Sequence, residues 1–296
     1  MHRAAGLRQD VSGTIGGGGI SATSSAEPSG EIVLVKLERM TVGPLPVIAA
    51  GAGAPLLYLG GLLPVAGVDS PLANRTAEYS ARPFSDVRTV VYANRWTGLP
   101  RGMTMAEIAA KHAEAISALA CGPVDVLGVS TGGSIAQQLA ADHPGSVRRL
   151  VLVSTGCRLA ARTRRMQARV AQHVRAGHPE RALASMIAGV LIPHGEPLAG
   201  LLAPFLTRLG SRLGDLGDLA TTIEAEDRFD LASCEGPIQA PTLILAGARD
   251  RFYPQPLLRE TQRLIPGSVL HVIPRRGHMT VMMGSRWSAI VRAHLQ

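Results

Sequence analysis

The chain reads as an α/β protein, a mostly parallel sheet covered by helices on both faces and interrupted in its second half by a helical insertion. Three observations predict this class. Short apolar, β-branched runs alternate with longer segments whose apolar residues recur at helical spacing, the pattern of strands joined by helical crossovers. The later runs, such as residues 124–129 and 149–154, are apolar at nearly every position, as strands buried on two faces must be. From residue 157 to 236 the strand signals vanish and only helical repeats remain.

Taken in order, the chain is expected to become regular from residue 31. Residues 32–37 read as a strand near the sheet edge, broken by the charge of Lys36. Residues 45–50 form a second short strand, closed by the turn composition Gly51-Ala52-Gly53. Residues 55–59 are wholly apolar and run straight into Gly60-Gly61-Leu62-Leu63-Pro64. A helix over 72–81 and a β-rich strand over 87–92 follow. Thr104 and Glu107 make a capping box, and behind them Ile108, His112, Ile116 and Leu119 share one helical face, with His112 read as a boundary residue. Residues 124–129 form a strand that runs into Gly128-Val129-Ser130-Thr131-Gly132. The next helix carries Ile135, Ala136, Leu139 and Ala140 on one face and stops at His143-Pro144, because proline disfavours helical geometry in the residue before it. Another buried strand spans 149–154.

In the insertion, Met166, Val170 and Val174 repeat at helical spacing, as do Leu183, Ile187 and Leu191, then Leu202, Phe205 and Leu209. Pro179, Pro193, Pro197, Gly210, Gly214 and Gly217 interrupt them. A segment of about eighty residues is long for a loop and reads as a small subdomain. Alternation resumes with strand 242–246, a helix over 254–265, strand 269–273 and a closing helix with Trp287, Ile290, Val291 and Leu295.

Composition excludes several classes. Hydrophobic residues make up 46% of the 296, yet no apolar run reaches the length of a membrane span. Residues 1–30 carry Arg3 and Arg8 ahead of a glycine run at 16–19. They lack the apolar core of a secretory signal and read as a flexible tail. Cys121, Cys157 and Cys234 are widely spaced, which fits a reduced, cytoplasmic setting. The net charge of +8 comes almost wholly from arginine, and with aromatics at 3% it does not suggest a nucleic-acid surface. The arginines of 158–169, like His173 and His178, read as a solvated helix face. No histidine pairing has metal-ligand spacing and no phosphate-binding glycine loop ends in lysine, so no metal or cofactor is expected. Oligomeric state is not set by these features.

The chemistry gathers where ligand sites of such sheets lie, beyond the carboxyl ends of the strands. Ser130 stands in Gly128-Val129-Ser130-Thr131-Gly132, a Gly-x-Ser-x-Gly pattern between strand and helix. There the turn strains the serine and lifts its Oγ clear of the sheet edge, and a side chain at Gly128 or Gly132 would collide. A serine hydroxyl needs a base, and the base a carboxylate. Asp250 follows the strand that ends near Gly247, and His278 follows the last strand, in the order serine, aspartate, histidine. The alternatives are that Asp250 caps the helix after it and that His278 is a plain helix-entry residue.

With the serine turn, the acid and the base in that order, residues 31–296 resemble the α/β-hydrolase superfamily, in its form with a helical cap. The resemblance implies an eight-stranded sheet, a core of 31–156 and 237–296, and a cap of 157–236 inserted after the sixth strand. It implies Ser130 as nucleophile, Asp250 as acid and His278 as base. The acid position some relatives use after the sixth strand is here Ser154-Thr155-Gly156, without a carboxylate. The backbone N–H groups of Thr131 and Leu62 are the implied oxyanion donors, with Gly61 in place of Leu62 if the register slips by one. The histidine that precedes glycine in the relatives' loop is missing. A serine at 130, where dehalogenases and epoxide hydrolases carry aspartate, argues against those activities. The expected activity is hydrolysis of a carboxylic ester or lactone of a largely apolar small molecule through an acyl-enzyme. Acyl transfer, carbon–carbon bond hydrolysis, perhydrolysis or cyclisation would use the same three residues, and a non-catalytic receptor would use only the pocket. Gly61, Leu62, Leu63, Phe252 and Met279 are the expected pocket wall, although the same side chains would serve equally as packing between cap and core.

Overall fold

The computed structural model describes residues 36–119, 121–191 and 216–296. Its strands are β1 (Leu37–Val42), β2 (Leu45–Ala50), β3 (Ala54–Leu59), β4 (Arg88–Ala93), β5 (Val124–Val129), β6 (Val147–Val153), β7 (Thr242–Gly247) and β8 (Val269–Ile273). They form one eight-stranded sheet in the order β1-β2-β4-β3-β5-β6-β7-β8. The pairs β1/β2 and β2/β4 are antiparallel, and from β4 to β8 every pair is parallel. The central strand β5 is buried at all six positions, which is why its sequence, Asp125 apart, runs apolar without alternation.

The edge strand departs from expectation. Residues 32–35 lie outside the described residues, and β1 runs over Leu37–Val42, where four of the six residues are exposed. Its charged and polar side chains blunt an open edge, so composition does not mark it as a strand. Residue-by-residue pairing with β2, from Leu37 opposite Ala50 to Val42 opposite Leu45, holds it in place.

Helices α1 (Pro71–Ala81), α2 (Met105–Ala118) and α3 (Thr131–Asp142) follow β3, β4 and β5 respectively. α1 and the closing helix, whose range is Arg286–Leu295, cover one face through Ala77, Ala81, Trp287 and Val291. α2, α3 and the helix Gln255–Leu264 cover the other through Ile108, Ile135, Leu139 and Leu258. The capping box of Thr104 and Glu107 is present at the start of α2. His112 is no boundary residue, being only 2% exposed. Its Nδ1 lies 2.8 Å from the Ile108 carbonyl one turn back, and burial pulls its pKa down to about 4.

Between β6 and β7 lie α4 (Ala161–Arg175), α5 (Pro179–Leu191) and α6 (Gly217–Asp227), with no strand among the described residues of this stretch. They share their own apolar cluster of Val170, Ala171, Ala182, Leu219, Ala220 and Ile223, and Leu62 packs against it. Gly217, expected to interrupt a helix, opens α6 instead. Leu219 to Ile223, Ala225 and Glu226 are all buried, so α6 shows no polar-apolar stripe for a periodicity argument to find. The helix expected around Leu202, Phe205 and Leu209 and the tail of 1–30 lie outside the described residues. The two later helices are α7 (Gln255–Leu264) and α8 (Arg286–Leu295). No helix among the described residues is long and apolar enough to cross a membrane.

Candidate active site

β5 delivers Ser130 to the carboxyl end of the sheet, and α3 begins at the next residue. Ser130 has φ 52° and ψ −120°, a conformation few non-glycine residues adopt and one that costs about 1–3 kcal/mol unless its surroundings enforce it. Space enforces it here. A Cβ on Gly128 would come within 2.7 Å of Gly133 Cα and 2.8 Å of Ala136 Cβ, and one on Gly132 would strike the Leu59 carbonyl. The Ser130 N–H donates to the Val153 carbonyl at 2.9 Å, tying the turn to β6.

Two other strand ends bring the remaining residues. Asp250 lies three residues past β7, its N–H donating to the Gly247 carbonyl at 3.0 Å. One carboxylate oxygen accepts from the N–H groups of Phe252 (2.8 Å) and Tyr253 (3.1 Å). The other lies 3.0 Å from His278 Nδ1, and His278 Nε2 lies 3.1 Å from Ser130 Oγ. A carboxylate there accepts from Nδ1–H, so the Nε2 lone pair is left facing the serine hydroxyl. The Phe252 ring stacks on the imidazole at 4.4 Å and 23°. Ser154 Oγ donates to the His278 carbonyl at 3.1 Å, so the position after β6 that lacks a carboxylate still holds the histidine, from its backbone.

The loop after β3 passes against the serine. A Cβ on Gly61 would stand 3.5 Å from Ser130 Cβ. The Leu62 N–H meets no acceptor among the described residues. Thr131, the first residue of α3, has one of the N–H groups that a helix leaves unpaired at its start. Thr131 thus follows Ser130 in the chain, and Gly61, the neighbour of Leu62, lies against it. Of the expected pocket residues, Phe252 lies on the imidazole, Leu62 packs on α4–α6, Gly61 and Leu63 are half-buried, and Met279 is 52% exposed.

One residue of this region has no signal in the sequence. Glu226, near the end of α6, is 0% exposed and sits behind the serine turn. It accepts from the Thr131 hydroxyl at 2.9 Å, the Ser134 hydroxyl at 3.0 Å and the Tyr253 hydroxyl at 3.3 Å. Burial pushes its pKa up, with hydrogen bonds from Thr131, Ser134, Gln167 and Tyr253 opposing. Its partners are far away along the chain, so only the fold could reveal it. Among the described residues no group of three or more His, Cys, Asp or Glu side chains is placed to hold a metal ion.

Known proteins share this arrangement of elements. The chain is 28% identical over 183 residues to the pimeloyl-[acyl-carrier protein] methyl ester esterase of Neisseria meningitidis serogroup C, a match covering 56% of this chain and 66% of that protein. To the protein of the same name from Chromobacterium violaceum it is 32% identical over 166 residues, covering 53% of this chain and 63% of the relative. The chain therefore spans just under two thirds of the length of these two relatives. The crystal structure of MGS-M2, an alpha/beta hydrolase enzyme from a Medee basin deep-sea metagenome library, matches with a TM-score of 0.69 at 16% identity, over 87% of this chain and 97% of that one. At that identity the likeness speaks for the fold alone. The model of the alpha/beta hydrolase family matches residues 45–293, from the second strand of the sheet almost to the end of its last helix, and the chain belongs to that family.

Proposed function

We propose that this protein is a serine hydrolase that cleaves a carboxylic ester or lactone of a small molecule through an acyl-enzyme. The observation that carries the reading is the unbroken hydrogen-bond line from Ser130 Oγ through His278 to Asp250, at 3.1 and 3.0 Å. Ser130 Oγ attacks the carbonyl carbon while His278 Nε2 takes its proton, and Asp250 holds the ring and steadies the imidazolium. The N–H groups of Leu62 and Thr131 receive the negative charge that builds on the carbonyl oxygen. His278 hands the proton to the leaving alcohol oxygen. A water, losing its proton to the same nitrogen, then cleaves the acyl–serine ester and restores Ser130. The ester-cleaving names of the two curated relatives support an ester over an amide.

In this reading residues 157–236 cap the site, over the core of 31–156 and 237–296, and residues 1–30 are a tail. Gly61, Leu63, Phe252 and Met279 wall the pocket with Leu62. The free thiols of Cys121, Cys157 and Cys234 suit a cytoplasmic enzyme.

The test is labelling with a fluorophosphonate probe, followed by peptide mapping, on the wild type and on Ser130→Ala, His278→Ala and Asp250→Asn. Labelling should fall on Ser130 alone. Losing the base or its orienting acid should slow it by about 10³-fold or more. Folded protein that stays unlabelled would overturn the reading in favour of a receptor pocket, and label on another serine would overturn Ser130 as the nucleophile.

A further inference from the structure

Arg95 lies two residues beyond β4 and is 8% exposed. Its Nε is fully buried and unpaired, the only cationic atom so placed among the described residues. The guanidinium makes no hydrogen bond or ion pair with any of them. The carboxylate that acts on it is that of Asp218, at the start of α6, and both Asp218 oxygens are engaged by the N–H groups of Gly98 (3.0 Å) and Leu99 (2.6 Å). Burial pulls the Arg95 pKa down to about 10, which leaves it charged at neutral pH. A second buried polar atom nearby also lacks a partner, the Tyr92 hydroxyl, which lies against Gly60. A buried guanidinium with no hydrogen-bond partner, whose one nearby carboxylate is already engaged by two backbone N–H groups, is costly, and such a group calls for something that completes it.

Its place in the fold says what that is. In the parallel strands β4, β3 and β5, Ala93, Leu59 and Gly128 stand in one row. Two residues further along lie Arg95, Gly61 and Ser130, so Arg95 leaves the sheet at the same end as the serine, two strands away from it. The loop that carries Gly61 and Leu62 is tied down on both sides of its course by this strand end. The Gly60 N–H donates to the Ala93 carbonyl at 3.3 Å and the Gly67 N–H to the Arg95 carbonyl at 2.8 Å. α6 runs above, with Asp218 in its first turn and Glu226 on the serine turn.

We infer that Arg95 anchors a carboxylate on the substrate, so that the ester or lactone opened at Ser130 carries an acidic group at its far end. The inference rests on the hydrolase reading of Ser130 and names its substrate class. The planar, two-pronged guanidinium matches a carboxylate in a way lysine does not. The expected wall of leucine, methionine and phenylalanine then serves the spacer between the two ends, not the whole substrate.

The experiment compares p-nitrophenyl half-esters of adipate and pimelate with the neutral hexanoate and heptanoate esters, on the wild type, Arg95→Met and Arg95→Lys. The wild type should favour the acidic ester in kcat/KM by about 10- to 100-fold, most of it through KM. That ratio should collapse in Arg95→Met and recover in part in Arg95→Lys. Adipate alone should raise the wild-type Tm, a readout that holds even if a variant fails to fold. A wild type that cleaves both ester types equally, or an acid preference that survives Arg95→Met, overturns the anchor and leaves the hydrolase intact. If no ester is cleaved while adipate still raises the Tm, the anchor stands and the hydrolase reading fails. Neither cleavage nor a Tm shift with adipate overturns both.

Discussion

Asp125 and Glu226 are both fully excluded from water, and they sit at opposite ends of the strand that carries Ser130. Asp125, near the start of β5, is met by charge. Arg148 grips it with two nitrogens at 2.8 and 2.6 Å, and Arg88 adds a third contact at 3.1 Å. Glu226, beyond the other end, is met by the hydroxyls of Thr131, Ser134 and Tyr253 and by no cation within ion-pair distance among the described residues. The difference teaches how the sheet divides its work. At the amino end of the strands a carboxylate is neutralised by paired arginines and serves cohesion. At the carboxyl end, where ligands of such sheets bind, a carboxyl is held by neutral groups and its own charge is disfavoured by burial. Burial thereby works against a full negative charge behind the serine turn.

The largest test of this contrast is Asp125→Ala. It strands Arg88, whose side chain is only 14% exposed, and leaving a buried charge unpaired costs about 3–5 kcal/mol. Urea unfolding should show that loss as a lower midpoint with an unchanged slope. A loss below about 1 kcal/mol would mean that the arginines swing out to water and that Asp125 is not the anchor described above.

A smaller effect is expected at His112, which a single backbone carbonyl holds. Its folded pKa is depressed from 6.5 to about 4, so the unfolded chain takes up a proton that the folded protein refuses. Stability should be full above pH 6.5 and fall progressively as the pH drops toward 4, by up to about 3 kcal/mol from this residue. His112→Gln should flatten that stretch of the stability curve. An equally steep curve in the variant would assign the acid limb to other groups.

These buried groups also separate what was legible in the sequence from what was not. β5 and β6 could be read because burial on two faces makes most of their positions apolar, and the serine turn because Gly128 and Gly132 are required by close approach of strand and helix. Asp250 and His278 could be nominated because each stands within five residues of a strand end. β1 was hidden by its exposed, charged edge, and α6 by burial on all sides, which erases the stripe that marks a helix. Glu226 and Arg95 were out of reach for a further reason. The hydroxyls that hold Glu226 are brought in from α3 and from the loop after β7, and Arg95 is notable for the partners it lacks, which no pattern of neighbours in the chain records.

Glu226→Gln makes the smallest change and tests the contrast most directly. The amide keeps one acceptor oxygen and turns the other site into a donor, which a serine or tyrosine hydroxyl can meet by rotating. The cost at pH 5 should be no more than about 1–2 kcal/mol. The sign of the pH dependence carries the information. A carboxyl whose pKa is raised in the folded state above 4.5 gives stability that is full below that value and is lost as the pH climbs through the raised pKa. Wild type should therefore lose Tm relative to Glu226→Gln as the pH rises from 4.5 upward, because the amide has no proton to give up. Parallel curves across that range would mean that the three hydroxyls hold Glu226 as an anion as readily as the arginines hold Asp125, and that a full negative charge stands behind Thr131. The N–H of that residue would then be aimed at a developing oxyanion against the field of its own side-chain partner.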